Sequence, residues 1–414
     1  MVAHAAEPRT TLHTETEECP VHNMRKTGFD TSTSEQPIVH TDDGVWHIYG
    51  YDEVRQILRT EMAHQAGFGK DELVAGAGGF LKILPILYLD GPEHHKQRRE
   101  TNKFFTPTIT DKAYRDFMND YADELIDGLK KKGRVDLSDI SMDMAVKVAS
   151  RIVGLTNSLL PGFKGRLNGM LETGNLPADT PKWKKSLIGQ YNSMSFAFFD
   201  VWPAVRARRK NPQNDVISYL LSRDYGLFEI LTECVVYGVA GMVTTREFIC
   251  VALWHLLENP HLAERMRVGS QEERYAILHE ILRLEPVVGQ LQRRAIEDIT
   301  LTSQGETVTI PAGSLVDLHV SASNTDTDIF GEDAQAVCPM RDVAERKPRV
   351  QEYALSFGDG AHRCPGAYVA IQESDIFLQK LLAIDTLRIE RAPDVTYSEI
   401  AKGYELRNFI IRVD

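Results

Sequence analysis

Phe357-Gly358-Asp359-Gly360-Ala361-His362-Arg363-Cys364-Pro365-Gly366 is the stretch on which the reading of this chain turns. Two glycines ahead of the cysteine permit a tight loop whose backbone approaches its neighbours closely. Pro365 suits the first position of a helix, so the spacing predicts Cys364 at a helix N-terminus, where free N–H groups and the dipole favour a thiolate. A thiolate is the form of cysteine that binds a metal. No second cysteine lies nearby, which excludes a four-cysteine zinc or iron–sulfur site. A single axial thiolate remains. The plainer alternative is a glycine-rich turn holding one buried cysteine, and several separate motifs weigh against it.

The remainder of the 414 residues bounds what such a site serves. Apolar residues make up 43% and charged residues 26%, which rules out disordered, collagenous and low-complexity classes. A formal charge of −12 argues against nucleic acid, which selects clustered Lys and Arg. The one basic run, Arg206-Ala207-Arg208-Arg209-Lys210 before Asn211-Pro212, reads as a helix C-terminus. The five cysteines, Cys19, Cys234, Cys250, Cys338 and Cys364, are odd in number and widely spaced. They do not read as a disulfide framework and point to a reducing, cytoplasmic compartment. Met1 to Cys19 is polar and lacks the apolar segment of a signal peptide. The most apolar stretch runs from Leu227 to Leu257. Its longest uncharged run, Cys234 to Thr245, falls short of the roughly 18 residues a membrane span needs, so no membrane contact is expected. It reads instead as a long helix buried in the core. Val45 to Tyr49 and Phe409 to Val413 have strand character, and Val308 to Ile310, Pro311-Ala312-Gly313 and Leu315 to Val320 read as strand, turn, strand. Tyr275 to Leu284 has helical period and stops before Pro286. The expected fold is mainly α with small β-sheets.

The Cys364 stretch resembles the haem-binding signature of the cytochrome P450 family, Phe-x-x-Gly-x-His-x-Cys-x-Gly. It fills every fixed position, with Phe357, Gly360, His362, Cys364 and Gly366. Two further motifs agree. Glu280 and Arg283 stand at i, i+3 and share a helix face. In the family this pair locks onto an arginine ahead of the haem loop, here Arg341 in Pro339-Met340-Arg341-Asp342, as structural support. Where the family often has Phe, this chain has Val337. The neighbouring His279-Glu280 is a near miss for a zinc motif, since Arg283 occupies the second His position. The other motif is Asp90-Gly91-Pro92-Glu93-His94-His95-Lys96-Gln97-Arg98-Arg99. Its His94 and Arg98 are one helical turn apart. Haem carries two propionates, and buried carboxylates need paired cations. The resemblance assigns that role to His94, Arg98, Arg293 and His362.

The resemblance also identifies Ala240-Gly241-Met242-Val243-Thr244-Thr245 as the oxygen groove on the long helix. Gly238 and Gly241 loosen it, and a Thr hydroxyl bonding back to a carbonyl bends it. The family has an acid followed by Thr. Here Thr244, the catalytic alcohol, is kept, but the acid is replaced by Val243, which cannot relay a proton. Glu247, one turn on, is expected to substitute in part, unless it is merely ion-paired beside Arg246. By position, Val239, Val243, Val287 and Val288 line the substrate pocket, with Leu406 near the C-terminus. Their apolar character implies an apolar substrate. Gly76-Ala77-Gly78-Gly79 falls where the family has a mobile loop over the substrate.

The fold implied is the mostly α cytochrome P450 prism, one domain over residues 1–414 with 1–40 matching poorly, and a long central helix over haem b held by Cys364. The function implied is that of a soluble, bacterial-type monooxygenase that hydroxylates a small molecule with dioxygen. A ferredoxin or flavodoxin-type partner would supply the electrons. Val243 keeps a second reading open, a haem-thiolate peroxygenase or one-electron oxidase carrying out coupling or desaturation. A non-enzymatic haem binder is the third.

Overall fold

The computed structural model describes residues 25–28, 34, 36–71, 73, 82–174, 179–341, 350–398 and 402–414, apart from the side chains of 171–174 and 239. Gly76 to Gly79 and the side chain of Val239 lie outside the described residues. The architecture is mainly helical with small sheets. Strands β1 (Ile38–His40), β2 (Val45–Ile48), β3 (Ala63–Ala66), β5 (Gln290–Ala295) and β8 (Leu315–His319) form one sheet in the order β1-β2-β8-β5-β3. The pair β2–β8 is parallel, and the other neighbours are antiparallel. Strand β4 (Arg134–Asp136) pairs with β12 (Ile410–Arg412), which also pairs with β9 (Arg388–Arg391). Two hairpins complete the β structure, β6 (Ile299–Ser303) with β7 (Glu306–Ile310), and β10 (Asp394–Ser398) with β11 (Gly403–Arg407).

The segments expected as strand, turn, strand around Pro311-Ala312-Gly313 do not pair with each other. Strand β7 closes back on β6 with Ile299 opposite Ile310, while β8 runs between β2 and β5. The reason lies in burial. Val316, Asp317, Leu318 and His319 are all nearly buried, which marks a central strand covered on both faces, not a hairpin arm.

Five helices position the site: α1 (Tyr51–Arg59), α2 (Gly91–Thr101), α3 (Leu227–Glu258), α4 (Gln271–Leu284) and α5 (Ala367–Leu382). Helix α3 is continuous except for one π-helical turn, Val239–Val243. It has 32 residues and a mean hydropathy of 1.5 over its most apolar window, so by length and composition it passes the test for a membrane span that its uncharged run alone fails. Its second half is interior: Phe248, Ile249, Cys250, Val251, Ala252, Leu253 and Leu256 are buried in the large apolar cluster. Helix α4 starts at a serine N-cap, with the Ser270 hydroxyl accepting from the Glu273 N–H at 3.2 Å. A second apolar cluster joins the large sheet to α1 through Ile48, Val54, Ile57, Val316 and Leu318, and includes Ala354 and Leu355. Tyr353 and Val369 belong to the first cluster, so the Cys364 loop bridges the two.

The Glu280 carboxylate is the hub beneath that loop. Arg283 donates to it through Nε and Nη2, each at 2.8 Å, Arg341 Nε donates at 3.0 Å, and the Cys338 N–H donates at 3.0 Å. Arg283 is 1% exposed and spends its remaining donors on the carbonyls of Asn324, Ala334 and Ala336. Asn324 in turn donates to Ser356 Oγ at 2.8 Å and accepts from the Leu355 N–H at 2.9 Å, at the start of the Cys364 loop. Glu285 anchors the described N-terminal residues in the same way, accepting from Thr27 Oγ1 at 2.6 Å and meeting His255 Nε2 at 3.0 Å. Cys234, Cys250 and Cys364 are free thiols, whereas Cys338 is disulfide-bonded, which departs from the all-thiol expectation.

Another buried acid has its pKa raised toward neutrality. Glu233 on α3 accepts from the Ile86 N–H at 2.9 Å and from Gln97 Nε2 at 2.8 Å, tying α2 and the turn at Ile86 to α3. Burial raises its pKa from 4.5 to about 7, and the two hydrogen bonds offset only part of this.

Two outcomes follow. Glu280→Ala leaves the buried Arg283 guanidinium without a carboxylate and Arg341 with Asp333 alone, and should destabilise the fold by about 3–5 kcal/mol, read as a fall in Tm and in denaturant midpoint. Because the folded form of Glu233 holds its proton more tightly than the unfolded chain, stability should decline as pH rises from about 4.5 to about 7 and level off above. Glu233→Gln should therefore gain up to about 3 kcal/mol on wild type at pH 8 and little at pH 4.5, in urea melts run at both pH values.

Candidate functional site

Cys364 stands three residues before the first residue of α5. Gly366 is the N-cap and Ala367 the first helical residue, so Pro365 precedes the helix and does not occupy its first turn. The loop closes on itself where the Cys364 N–H donates to the Phe357 carbonyl at 2.8 Å. Gly360 shows why the loop needs glycine: its φ is +66° and a Cβ there would lie 2.1 Å from the Leu58 carbonyl oxygen of α1. Asp359 fastens the same corner, accepting from Arg55 Nε at 3.1 Å and Arg59 Nε at 2.8 Å. Burial raises the Cys364 pKa above the ordinary thiol value. The N–H groups of Gly366 and Ala367 and the charges of Arg98 and Arg363 act in the opposite sense without overcoming it. A bound cation at the sulfur reverses that balance, since coordination deprotonates a thiol outright.

Arg98, His94 and His362 converge beside this loop. Arg98 Nη2 donates to the carbonyl of Arg363. The His94 and His362 rings stack with centroids 4.1 Å apart and 14° between planes. His362 Nε2 is 3.0 Å from Asp90 Oδ1, and the Gln65 N–H donates to the same oxygen at 3.0 Å. Burial works against the Asp90 carboxylate, yet these bonds bring its pKa down to about 2. His94 is 1% exposed and its pKa falls to about 3 through burial and the neighbouring His362 and Arg98, so its ring is neutral. Arg293 is 3% exposed, and burial lowers its pKa to about 10, which leaves it charged at neutral pH.

The donors exceed the acceptors. Arg293 makes its recorded hydrogen bond to the Gln292 carbonyl, and no carboxylate lies within ion-pair distance of it among the described residues. His94 Nδ1 is buried without a partner. A guanidinium and an imidazole left in that state fit a ligand that brings carboxylates of its own.

On α3 the Thr244 hydroxyl donates to the Ala240 carbonyl at 2.5 Å, across the π turn that contains Gly241. Val243 is half-buried. Glu247 is not available as a proton donor in the way the sequence suggested. Its Oε1 accepts from Arg246 Nε at 2.8 Å and Arg407 Nη1 at 2.7 Å, and its Oε2 accepts from the Leu406 N–H at 2.7 Å. It is fully buried and spent on anchoring β11. Leu406 is likewise fully buried, with its N–H held there. Val287 is buried and Val288 half-buried, and a Cβ on Gly403 would lie 1.7 Å from the Val287 carbonyl, so β11 packs directly on this pair.

Sequence reasoning passed over Glu373. It lies on α5, 2% exposed, with Oε2 lacking any partner. Burial raises its pKa well above 4.5, while the hydroxyl of Thr245, the neighbour of Thr244, partly offsets this. The signal was present as an acid inside the buried run Ile371-Gln372-Glu373-Ser374, but sequence alone does not say which face of α5 meets α3.

Comparison with known proteins gives one answer. A family model described as Cytochrome P450 matches residues 275–394, the segment from Tyr275 on α4 through the Cys364 loop to Asp394. A putative cytochrome P450, YjiB, from Bacillus subtilis is 25% identical over 396 residues, covering 93% of each chain. Mycinamicin IV hydroxylase/epoxidase from Micromonospora griseorubida is 27% identical over 353 residues, covering 81% of each. The crystal structure of CYP109E1 from Bacillus megaterium in complex with corticosterone superposes with a TM-score of 0.72 at 22% identity, covering 91% of this chain and 95% of that one.

Proposed function

We propose that this chain is a cytochrome P450 monooxygenase of the bacterial type that uses haem b, held by Cys364, to hydroxylate a small, largely apolar molecule with dioxygen. The observation that carries the cofactor reading is the surplus of buried donors. Arg293 and His94 are buried and Arg98 and His362 half-buried, only Asp90 offers this set a carboxylate among the described residues, and two propionates would balance it. Haem bound through a thiolate supplies reductive activation of dioxygen, the sulfur donating electron density toward iron.

The chain's own residues do the rest. The Gly366 and Ala367 N–H groups and the Arg98 and Arg363 charges stabilise negative charge on the Cys364 sulfur. Thr244 presents a hydroxyl whose hydrogen is parked on the Ala240 carbonyl. Val243, Val287 and Val288 offer apolar surface on that side, which favours an apolar substrate. Two similar proteins support this reading: one is named Mycinamicin IV hydroxylase/epoxidase and one was crystallised with corticosterone. Proton supply falls to Glu373. Its buried carboxyl, whose pKa burial raises well above 4.5, faces Thr245, one residue from Thr244, whereas the Glu247 carboxylate is locked by two arginines and a backbone N–H. Electrons come from a separate carrier of ferredoxin or flavodoxin type.

A peroxide-driven or one-electron reaction is the second reading, favoured by Val243 standing where an acid is usual. Peroxide carries its own two protons into the site and relaxes the need for a relay.

With a surrogate reductase system and a substrate found by spectral-shift screening, Thr244→Ala and Glu373→Gln should each lower product formed per reducing equivalent roughly tenfold and raise peroxide release. Glu247→Gln should lower Tm and leave coupling near wild type. Equal or faster wild-type turnover with hydrogen peroxide alone would select the second reading. Cys364→Ala should abolish the red-shifted Soret band of the reduced carbon-monoxide complex. If that band survives in the variant, the ligand assignment fails.

A further inference from the structure

The large sheet carries a second cluster of metal-binding side chains, on the face opposite Arg293. Strands β2 and β8 are parallel with His47 in register with Asp317, and β5 sets Gln290 opposite His319 and Gln292 opposite Asp317. Side chains alternate along a strand, so His47, Asp317 and His319 rise together with Gln290 and Gln292, while Arg293 points the other way. His47 Nδ1 and His319 Nε2 are 3.0 Å apart. One ligand atom from each of His47, Asp317 and His319 lies within 4.8 Å of the others.

We propose that these three residues form a site for a borderline divalent cation such as Zn(II), Co(II) or Ni(II), with its remaining positions open to water. Two imidazoles and one carboxylate are the donor set such ions take. At bond lengths of about 2.0–2.2 Å, neighbouring ligand atoms stand about 3.0–3.5 Å apart, so closing the site asks for shifts of an ångström or so. An ion replaces the hydrogen that the two facing nitrogens otherwise share.

The surroundings orient the ligands. Tyr49 stacks on the His319 ring with centroids 4.2 Å apart and 18° between planes. The Gln290 side-chain nitrogen Nε2 lies 3.4 Å from His319 Nδ1, and metal binding at His319 Nε2 calls for a half-turn of this amide. With its oxygen turned to that nitrogen, the amide accepts the ring hydrogen and leaves the Nε2 lone pair for the metal, the usual second partner of a metal-bound histidine. His319 is 3% exposed and Asp317 9%, while His47 is half-buried and gives the ion a way in. The site is independent of the haem reading, since it shares no residue with it.

The test uses tag-free holoenzyme treated with chelator and then titrated with Co(II) and Zn(II). One equivalent of Co(II) should bring up visible ligand-field bands, Zn(II) should displace it, and Zn(II) should raise Tm by binding only the folded form. His47→Ala, at the half-buried position, and Asp317→Asn should each weaken Zn(II) at least about 100-fold in calorimetry, with the Soret band and circular dichroism as the check on folding. Absence of stoichiometric binding overturns the proposal. So does binding of unchanged affinity in a folded His47→Ala protein, which would assign the metal to other side chains.

Discussion

A guanidinium does not shed its proton at neutral pH, and Arg293 is buried at 3% exposure with no carboxylate within ion-pair distance among the described residues, Asp90 acting on it only from further off. Charge buried in that way is costly unless something anionic joins it. Much of the structure around Cys364 follows from this. His94 and Arg98 on α2 and His362 on the Cys loop face the same space, and Asp90 is consumed by His362 and the Gln65 N–H. A cofactor with two carboxylates and an axial position for sulfur satisfies the donors and the thiol together.

The frame that holds these groups is a separate device. Glu280 collects two guanidinium groups and one backbone N–H, and through Arg283 and Asn324 the network reaches the chain at Leu355 and Ser356. Asp359, Arg55 and Arg59 fasten the loop to α1 from the opposite side. The stretch leading into Cys364 is thus pinned from two sides, which fixes the approach of the thiol to the first N–H groups of α5.

The parts legible from sequence were those set by short spacing. The Cys364 loop, the Glu280–Arg283 pair and the His94–Arg98 turn each lie within a few residues of chain, where helix and turn geometry fix relative positions. What escaped depended on contacts between distant segments. Strand β7 chose β6 and β8 chose a central place, which no local pattern shows. Glu247 sits one turn from Val243, as spacing requires, yet Arg407 and Leu406 arrive from more than 150 residues away and take its carboxylate. Glu373 escaped for the converse reason, since its nearness to Thr245 depends on how α5 packs on α3.

The central claim is that the buried donors exist to bind the two propionates of haem, and one comparison tests it directly. Apoprotein is titrated with haem and with its dimethyl ester, in which both carboxylates are blocked while the ring and iron are unchanged. The account predicts that haem binds at least about 100-fold more tightly than the ester, and that Arg293→Ala removes a large part of that preference, because charge-assisted bonds contribute about 1.5–3 kcal/mol each. Equal affinity for the two would contradict it and leave the positive charge of Arg293 unexplained.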